Sequence, residues 1–241
     1  MSVSHTPGVR LVGRTLLHIV VGGRAWSRFL LFALMVVVTV GSAVAATRVI
    51  DGDTLDLDGT RFRIHGIDAP EAGQTCMRPD GGHWPCGTEA IRAMQRLVSA
   101  RPVTCASGSL DGYGRTVAVC SSGGLDLGRT MVSRGMAFAF RKYSADYAAE
   151  EDEARRRRIG VWQADTETPW DYRAWKWKAG VQEAPSGCPI KGNISKGGHI
   201  YHAPWSPWYT KTRIDTAKGE RWFCTEAEAV GAGWRAPVWG K

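Results

Sequence analysis

The chain has 241 residues, 44% of them apolar, enough to bury a sizeable core; a wholly disordered chain is excluded and one or two compact domains are expected. Its formal charge is +8, but Arg10, Arg14, Arg24 and Arg28 stand in an N-terminal stretch without acids. With those four set aside, 27 basic side chains face 23 acidic ones, a net +4 that permits an encounter with phosphates and does not by itself indicate nucleic acid.

In chain order, the basic stretch runs into an apolar segment from Phe29 to Val40 and then the small residues Gly41 to Ala45. A basic flank, a short apolar core and an A-x-A-like site at Ala43 to Ala45 predict a signal peptide over residues 1–45 and a protein exported to the periplasm or the medium. Extending the apolar run through Ala46 brings it close to a bilayer span, so a retained membrane anchor is the alternative. All six cysteines follow this segment, and an even count in an exported chain reads as disulfides. The favoured pairing is Cys76–Cys86 as a loop staple, Cys105–Cys120 across a hairpin and Cys188–Cys224 within the tail.

From Arg48 to Ile67 apolar and polar residues alternate around Asp58-Gly59, a strong hairpin signal. Thr88 is a candidate cap for a helix with Ile91, Met94, Leu97 and Val98 on one face, ended by Arg101-Pro102. Strands are expected at Val103 to Cys105 and Thr116 to Cys120, joined by a glycine-rich loop. A short helix is expected from Leu127 to Arg134. Ser144 is the candidate cap of a third helix with Glu150, Glu151 and Glu153 early and Arg155 to Arg158 late, a polarity that suits the helix dipole. The four arginines read as a solvated helix end. Residues 163–187, polar and punctuated by Pro and Gly, read as a connector, and a second cysteine-bounded unit occupies 188–241. The sum is an α+β chain whose first domain, residues 46–162, is a five-stranded OB-like β-barrel with three helices.

The candidate chemistry lies in two short acidic segments, Asp53 in Val49-Ile-Asp-Gly-Asp-Thr54, and Asp68 with Glu71 in Phe62-Arg-Ile-His-Gly-Ile-Asp-Ala-Pro-Glu71. Hard oxygen donors of this kind suit Ca²⁺ or Mg²⁺, although each acid taken singly reads more readily as a turn residue than as a ligand. A two-residue turn at Asp58-Gly59 sets Asp53 opposite Ile64 rather than Asp68, so bringing the two aspartates together needs a bulge or strong curvature. Arg63 points away from the face that Phe62 and Ile64 bury, and Arg115 ends the glycine-containing loop. Two such arginines can grip a phosphate bidentately and stabilise a five-coordinate phosphorus.

These two segments, with Asp111-Gly-Tyr-Gly-Arg115 and Gly160-Val-Trp162, resemble the staphylococcal nuclease (thermonuclease) family in order over roughly residues 47 to 162. The resemblance implies Ca²⁺ bound by Asp53, Asp68 and the main-chain carbonyl of Ala69, a position where the family often has Thr. It further implies Glu71 as general base or water-orienting group, and Arg63 and Arg115 on the scissile phosphate. Tyr113 and Tyr143 are candidates for substrate contact. The implied activity is hydrolysis of DNA or RNA, or both, to 3′-phosphate and 5′-hydroxyl products, by a monomer without an obligate protein partner. The rival readings are a non-catalytic nucleic-acid-binding barrel and an envelope interaction protein acting through its tail. The tail resembles a module found on some bacterial exported nuclease-like proteins. There Cys188 and Cys224 with His199 or His202 fit no standard zinc spacing, and a disulfide is the preferred reading.

Overall fold

The computed structural model describes residues 47–238; the signal segment or anchor expected at 1–45 lies outside them. Strands β1 (Thr47–Asp51), β2 (Thr54–Leu57) and β3 (Thr60–Ile64) form an antiparallel meander. Asp58 and Gly59 both take positive φ, 50° and 87°, the backbone that a tight hairpin between right-twisted strands requires. That turn fixes the register, Leu55 against Phe62 and Thr54 against Arg63, and the Ile64 N–H reaches the Asp53 carbonyl at 2.8 Å. The β1–β2 register shifts between Val49 and Asp51, a bulge beside the acidic segment.

After β3 come the two-residue strands β4 (Ile67–Asp68), β5 (Cys76–Met77) and β6 (His83–Trp84), then helix α1 (Cys86–Ser99). They are followed by β7 (Val103–Cys105), β8 (Ser109–Leu110), β9 (Thr116–Ala118), β10 (Cys120–Ser122) and β11 (Leu125–Asp126). The first sheet has the order β1-β2-β3-β9-β8, with β3 and β9 parallel, so α1 lies in the crossover between them. Past Val119 the chain leaves that sheet and joins a second one, β11-β10-β7. Helix α2 (Leu127–Ser133), strand β12 (Phe138–Ala139) and helix α3 (Ala148–Arg156) complete the region, with β12 on β4.

The α+β class and OB-like strand order hold, but no closed barrel is found among the described residues. The strands divide between separate sheets because β7 pairs with β10 rather than β9. The helix count also differs from three: α4 (Pro169–Glu183) fills most of the expected connector, and α5 (Glu226–Gly231) lies in the tail. Thr168 caps α4, its hydroxyl accepting from the Asp171 N–H, with Pro169 in the first turn where its missing N–H costs nothing. Two expected caps are corrected. Thr88 sits inside α1, which starts at Cys86, and Ser144 accepts from Asp146 ahead of α3. Arg155 lies over the Trp162 ring and Arg156 pairs with Glu153, in keeping with a solvated helix end.

Ala90, Ile91, Met94 and Leu97 recur at helical spacing and press α1 onto Val49, Leu55, Ile64 and Ala118 of the first sheet. Each fully buried Leu, Ile or Met contributes about 1.5–3 kcal/mol to this core. A smaller cluster joins Cys76, Trp84 and Cys86 to Phe138 and Val161, with Trp170 of α4 packed on it. Disulfides link Cys76 to Cys86, Cys105 to Cys120 and Cys188 to Cys224. The second pair faces across β7 and β10.

The tail is built on β13 (Ile190–Ser195), β14 (Gly198–His202) and β15 (Arg221–Phe223), order β14-β13-β15, around Ile190, Tyr201, Phe223, Ala229 and Trp234. Lys191 is buried in it, its ammonium donating to the Tyr209 and Thr212 carbonyls and lying over the Tyr209 ring. His202 is held between Asn193 and Ser206, and burial, seconded by Lys191, lowers it to about 4. A folded value below the ordinary 6.5 means that the unfolded chain binds more protons between those limits. Stability therefore falls as pH drops from about 6.5 toward about 4. His202→Gln is expected to flatten the thermal-melt profile across that window; a slope identical to the unsubstituted protein's would contradict the assignment.

Candidate active site

The site is built where β2, β3 and β4 bring their polar residues beneath the loop after Asp68. Asp53, at the turn into β2, is buried, and its Oδ2 accepts the Ala69 N–H at 2.8 Å. Asp68, fully buried on β4, faces Phe138 of β12. Arg63 spans the two aspartates: its guanidinium contacts Asp53 Oδ1 and donates to Asp68 Oδ1 at 2.9 Å. This fork closes the gap that hairpin pairing alone leaves between Asp53 and Asp68, with the turn at Gly66 returning the chain.

Glu71 lies on the loop leaving β4, fastened at several points. Its N–H donates to the Gln74 side chain, whose amide in turn donates to the Glu167 carbonyl. Gly87 of α1 abuts it so closely that a Cβ there would sit 1.7 Å from the Glu71 carbonyl oxygen. Arg115 is held by Asp111, its Nε donating to Oδ2 at 2.8 Å, and lies over the Tyr113 ring. Tyr113 and Tyr143 are exposed.

Asp53, Arg63, Ala69, Glu71, Tyr113, Arg115 and Tyr143 line one cleft of about 990 Å³, with Asp68 just beneath Arg63. Asp51 lines it as well and shares a hydrogen bond with the Asp53 N–H. Burial first, then the charge of Asp53, raises the Asp51 carboxyl well above its usual range. Burial opposes ionisation of Asp53 too, but Arg63, the hydrogen bonds with Asp51 and the Ala69 backbone, and Arg115 together outweigh it, and Asp53 falls to about 2. Burial pushes Glu71 up to about 7 against the opposing pull of Arg173.

Arg173 was not legible as a site residue. It projects from α4 and donates to both Asp68 oxygens, at 3.1 and 2.7 Å, and to Glu71 at 2.7 Å. Trp177 of the same helix, with Trp205, Thr225 and Glu226 of the tail, completes the cleft wall. Asp51, by contrast, had a signal: it stands two residues before Asp53.

The donor set of carboxylates and a main-chain carbonyl has the hard-oxygen chemistry that suits Ca²⁺. The arrangement is a different matter. Among the described residues no group of three or more His, Cys, Asp or Glu is placed to hold a metal, and arginine nitrogens engage both oxygens of Asp68.

Residues 61–164 match the family of staphylococcal nuclease homologues, and residues 178–236 match the ArfC family. The chain is 33% identical to the succinoglycan biosynthesis protein ExoI of Rhizobium meliloti, over 57% of this chain and 75% of that one. It is 32% identical to the micrococcal nuclease of Shigella flexneri, over 57% of this chain and 80% of that one. An uncharacterized endonuclease of Haemophilus influenzae is 30% identical over 62% and 85%. The chain belongs to the staphylococcal nuclease family. Its enzyme class is that of the nucleases. The nuclease-family match ends before α4, so Arg173 lies outside it, between the matched segments.

Because Gly87 packs against the Glu71 carbonyl, Gly87→Ala must displace the loop or the helix. The expected cost is about 1–3 kcal/mol, the range of overpacking, read as a lower melting temperature together with slower turnover. An unchanged melt would show that the contact is slack.

Proposed function

We propose that this nuclease is a calcium-dependent phosphodiesterase that hydrolyses DNA or RNA, or both, to 3′-phosphate and 5′-hydroxyl ends. The observation that supports it is the convergence of Arg63, Arg115, Glu71 and Asp53 on one cleft, with Asp68 bonded to Arg63 beneath it. A cleft of about 990 Å³ is large enough for a few nucleotides, and its charged groups address phosphate rather than base edges.

In this reading Arg63 and Arg115 hold the scissile phosphate and meet the extra negative charge of the five-coordinate phosphorus, where preorganised donors lower the barrier most. Glu71, poised at about 7, accepts or orients the proton of the attacking water near neutral pH. When bound, Ca²⁺ would supply neutralisation of the phosphate charge. Asp53 and Asp68 are the carboxylates proposed to hold it, and the Ala69 backbone joins them. Tyr113 and Tyr143, exposed at the rim, offer faces to a base or a terminal phosphate. Export to an oxidising compartment is part of the proposal, supported by three disulfides.

Arg63→Ala, Arg115→Ala and Asp53→Ala are each expected to lower turnover by about 10²-fold or more. Plasmid and RNA digestion with Ca²⁺, Mg²⁺ or chelator, followed by end-group analysis, tests the chemistry; near-normal cutting by Arg115→Ala, or 5′-phosphate products, would refute it. Since the base form of Glu71 is lost as protons bind, the cleavage rate is expected to fall about tenfold per pH unit below about 7. A flat profile down to pH 5 would remove Glu71 from the mechanism.

A further inference from the structure

The cation that Asp68 and Glu71 bond, beyond Arg63, is the guanidinium of Arg173. Its three contacts, two on Asp68 and one on Glu71, lie between 2.7 and 3.1 Å, in the range of charge-assisted hydrogen bonds. Asp68 has no exposed surface left, and only about a quarter of the Arg173 side chain is accessible. Asp68 Oδ1 already accepts from both Arg63 and Arg173, and Oδ2 accepts from Arg173, so about one of the carboxylate's four lone-pair sites is left. A divalent ion that takes Asp68 therefore competes with the Arg173 fork for those lone pairs, and the two positive charges repel at such short range.

The helix that presents Arg173 is itself held in place. Trp170 stacks on Phe140 and packs edge-on to Phe138, and Tyr172 is buried. At the far end Trp177 meets Trp205, and Gly180 packs against Pro189 and Pro204 of the tail. Arg173 is therefore delivered to the carboxylates by a helix clamped between nuclease domain and tail.

We propose that Arg173 is an internal counter-cation that competes with a divalent metal for Asp68 and Glu71, and so sets how tightly this site takes the metal. The inference rests on the reading of these carboxylates as a metal-binding part of the nuclease site. It assigns to a residue outside the nuclease-family match a role in metal affinity. Loading the ion works against the Arg173 fork on Asp68, and removing that side chain leaves the carboxylates mutually repelling and receptive to Ca²⁺.

Calorimetric titration of CaCl₂ into the full chain tests this with the unsubstituted protein, Arg173→Gln and Arg173→Lys. Arg173→Gln is expected to bind Ca²⁺ about 10-fold more tightly or better, the scale of one charge-assisted hydrogen bond relinquished. Arg173→Lys, a single ammonium unable to span Asp68 and Glu71 as a fork, is expected to fall between the two. In chelator Arg173→Gln should melt at lower temperature, and added Ca²⁺ should raise its melting point by more than that of the unsubstituted protein. If Arg173→Gln does not fold, the lysine variant decides, and an affinity equal to the unsubstituted protein's overturns the competition. Unchanged or weaker Ca²⁺ binding by folded Arg173→Gln, with digestion still chelator-sensitive, overturns the competition and leaves the proposed function standing. No Ca²⁺ binding by any variant, with digestion indifferent to chelator, removes the metal reading and the competition together.

Discussion

The arginine fork between Asp53 and Asp68 is the contact on which the site depends. Four carboxylates, those of Asp51, Asp53, Asp68 and Glu71, are gathered where little water reaches, and such a group is stable only if cations or protons compensate it. The structure uses both. Arg63 and Arg173 keep Asp53, Asp68 and Glu71 in ion pairs, while burial drives Asp51 toward its protonated form and holds Glu71 near neutrality. Arg63 can bridge only because the Asp58-Gly59 turn sets its register opposite Thr54, one residue from Asp53. A slip by one residue would send the guanidinium into the core and Phe62 and Ile64 into the cleft.

Much of this was readable from local sequence, and what was not has definite physical causes. The hairpin, its register and the apolar face of α1 follow from turn chemistry and periodicity, which act over a few residues. The grouping of Asp53, Arg63, Glu71 and Arg115 came from ordered motifs resembling a known family, since pairing arithmetic alone sets Asp53 opposite Ile64. Two helix starts were misplaced because Thr88 and Ser144 fit a capping pattern while tertiary packing begins the helices elsewhere. Arg173 was hidden for another reason. It lies in a tryptophan-rich segment with no motif, and its partners are about a hundred residues earlier, so only the three-dimensional path of α4 reveals it.

The tail is joined to the nuclease domain by packing as well as by the chain. Gly73, two residues past Glu71, approaches Trp205 and Pro207, and the part-buried Glu226 accepts a hydrogen bond from Tyr201 while facing the same cleft as the arginines. Burial raises the Glu226 carboxyl above its ordinary range against the opposing hydrogen bond from Tyr201. The cleft therefore has a floor from the nuclease sheet and a wall from a module of different family.

The staple between Cys76 and Cys86 has a consequence for where the enzyme can be competent. It ties the strand after the Glu71 loop to the first residue of α1, beside the glycine that wedges under Glu71, and Cys86 is wholly buried. In a thiol-rich cytosol that cross-link would be open, and the loop bearing Glu71 would rely on Gln74, Arg173 and packing alone. Oxidation would close the cross-link again and tighten that loop against α1.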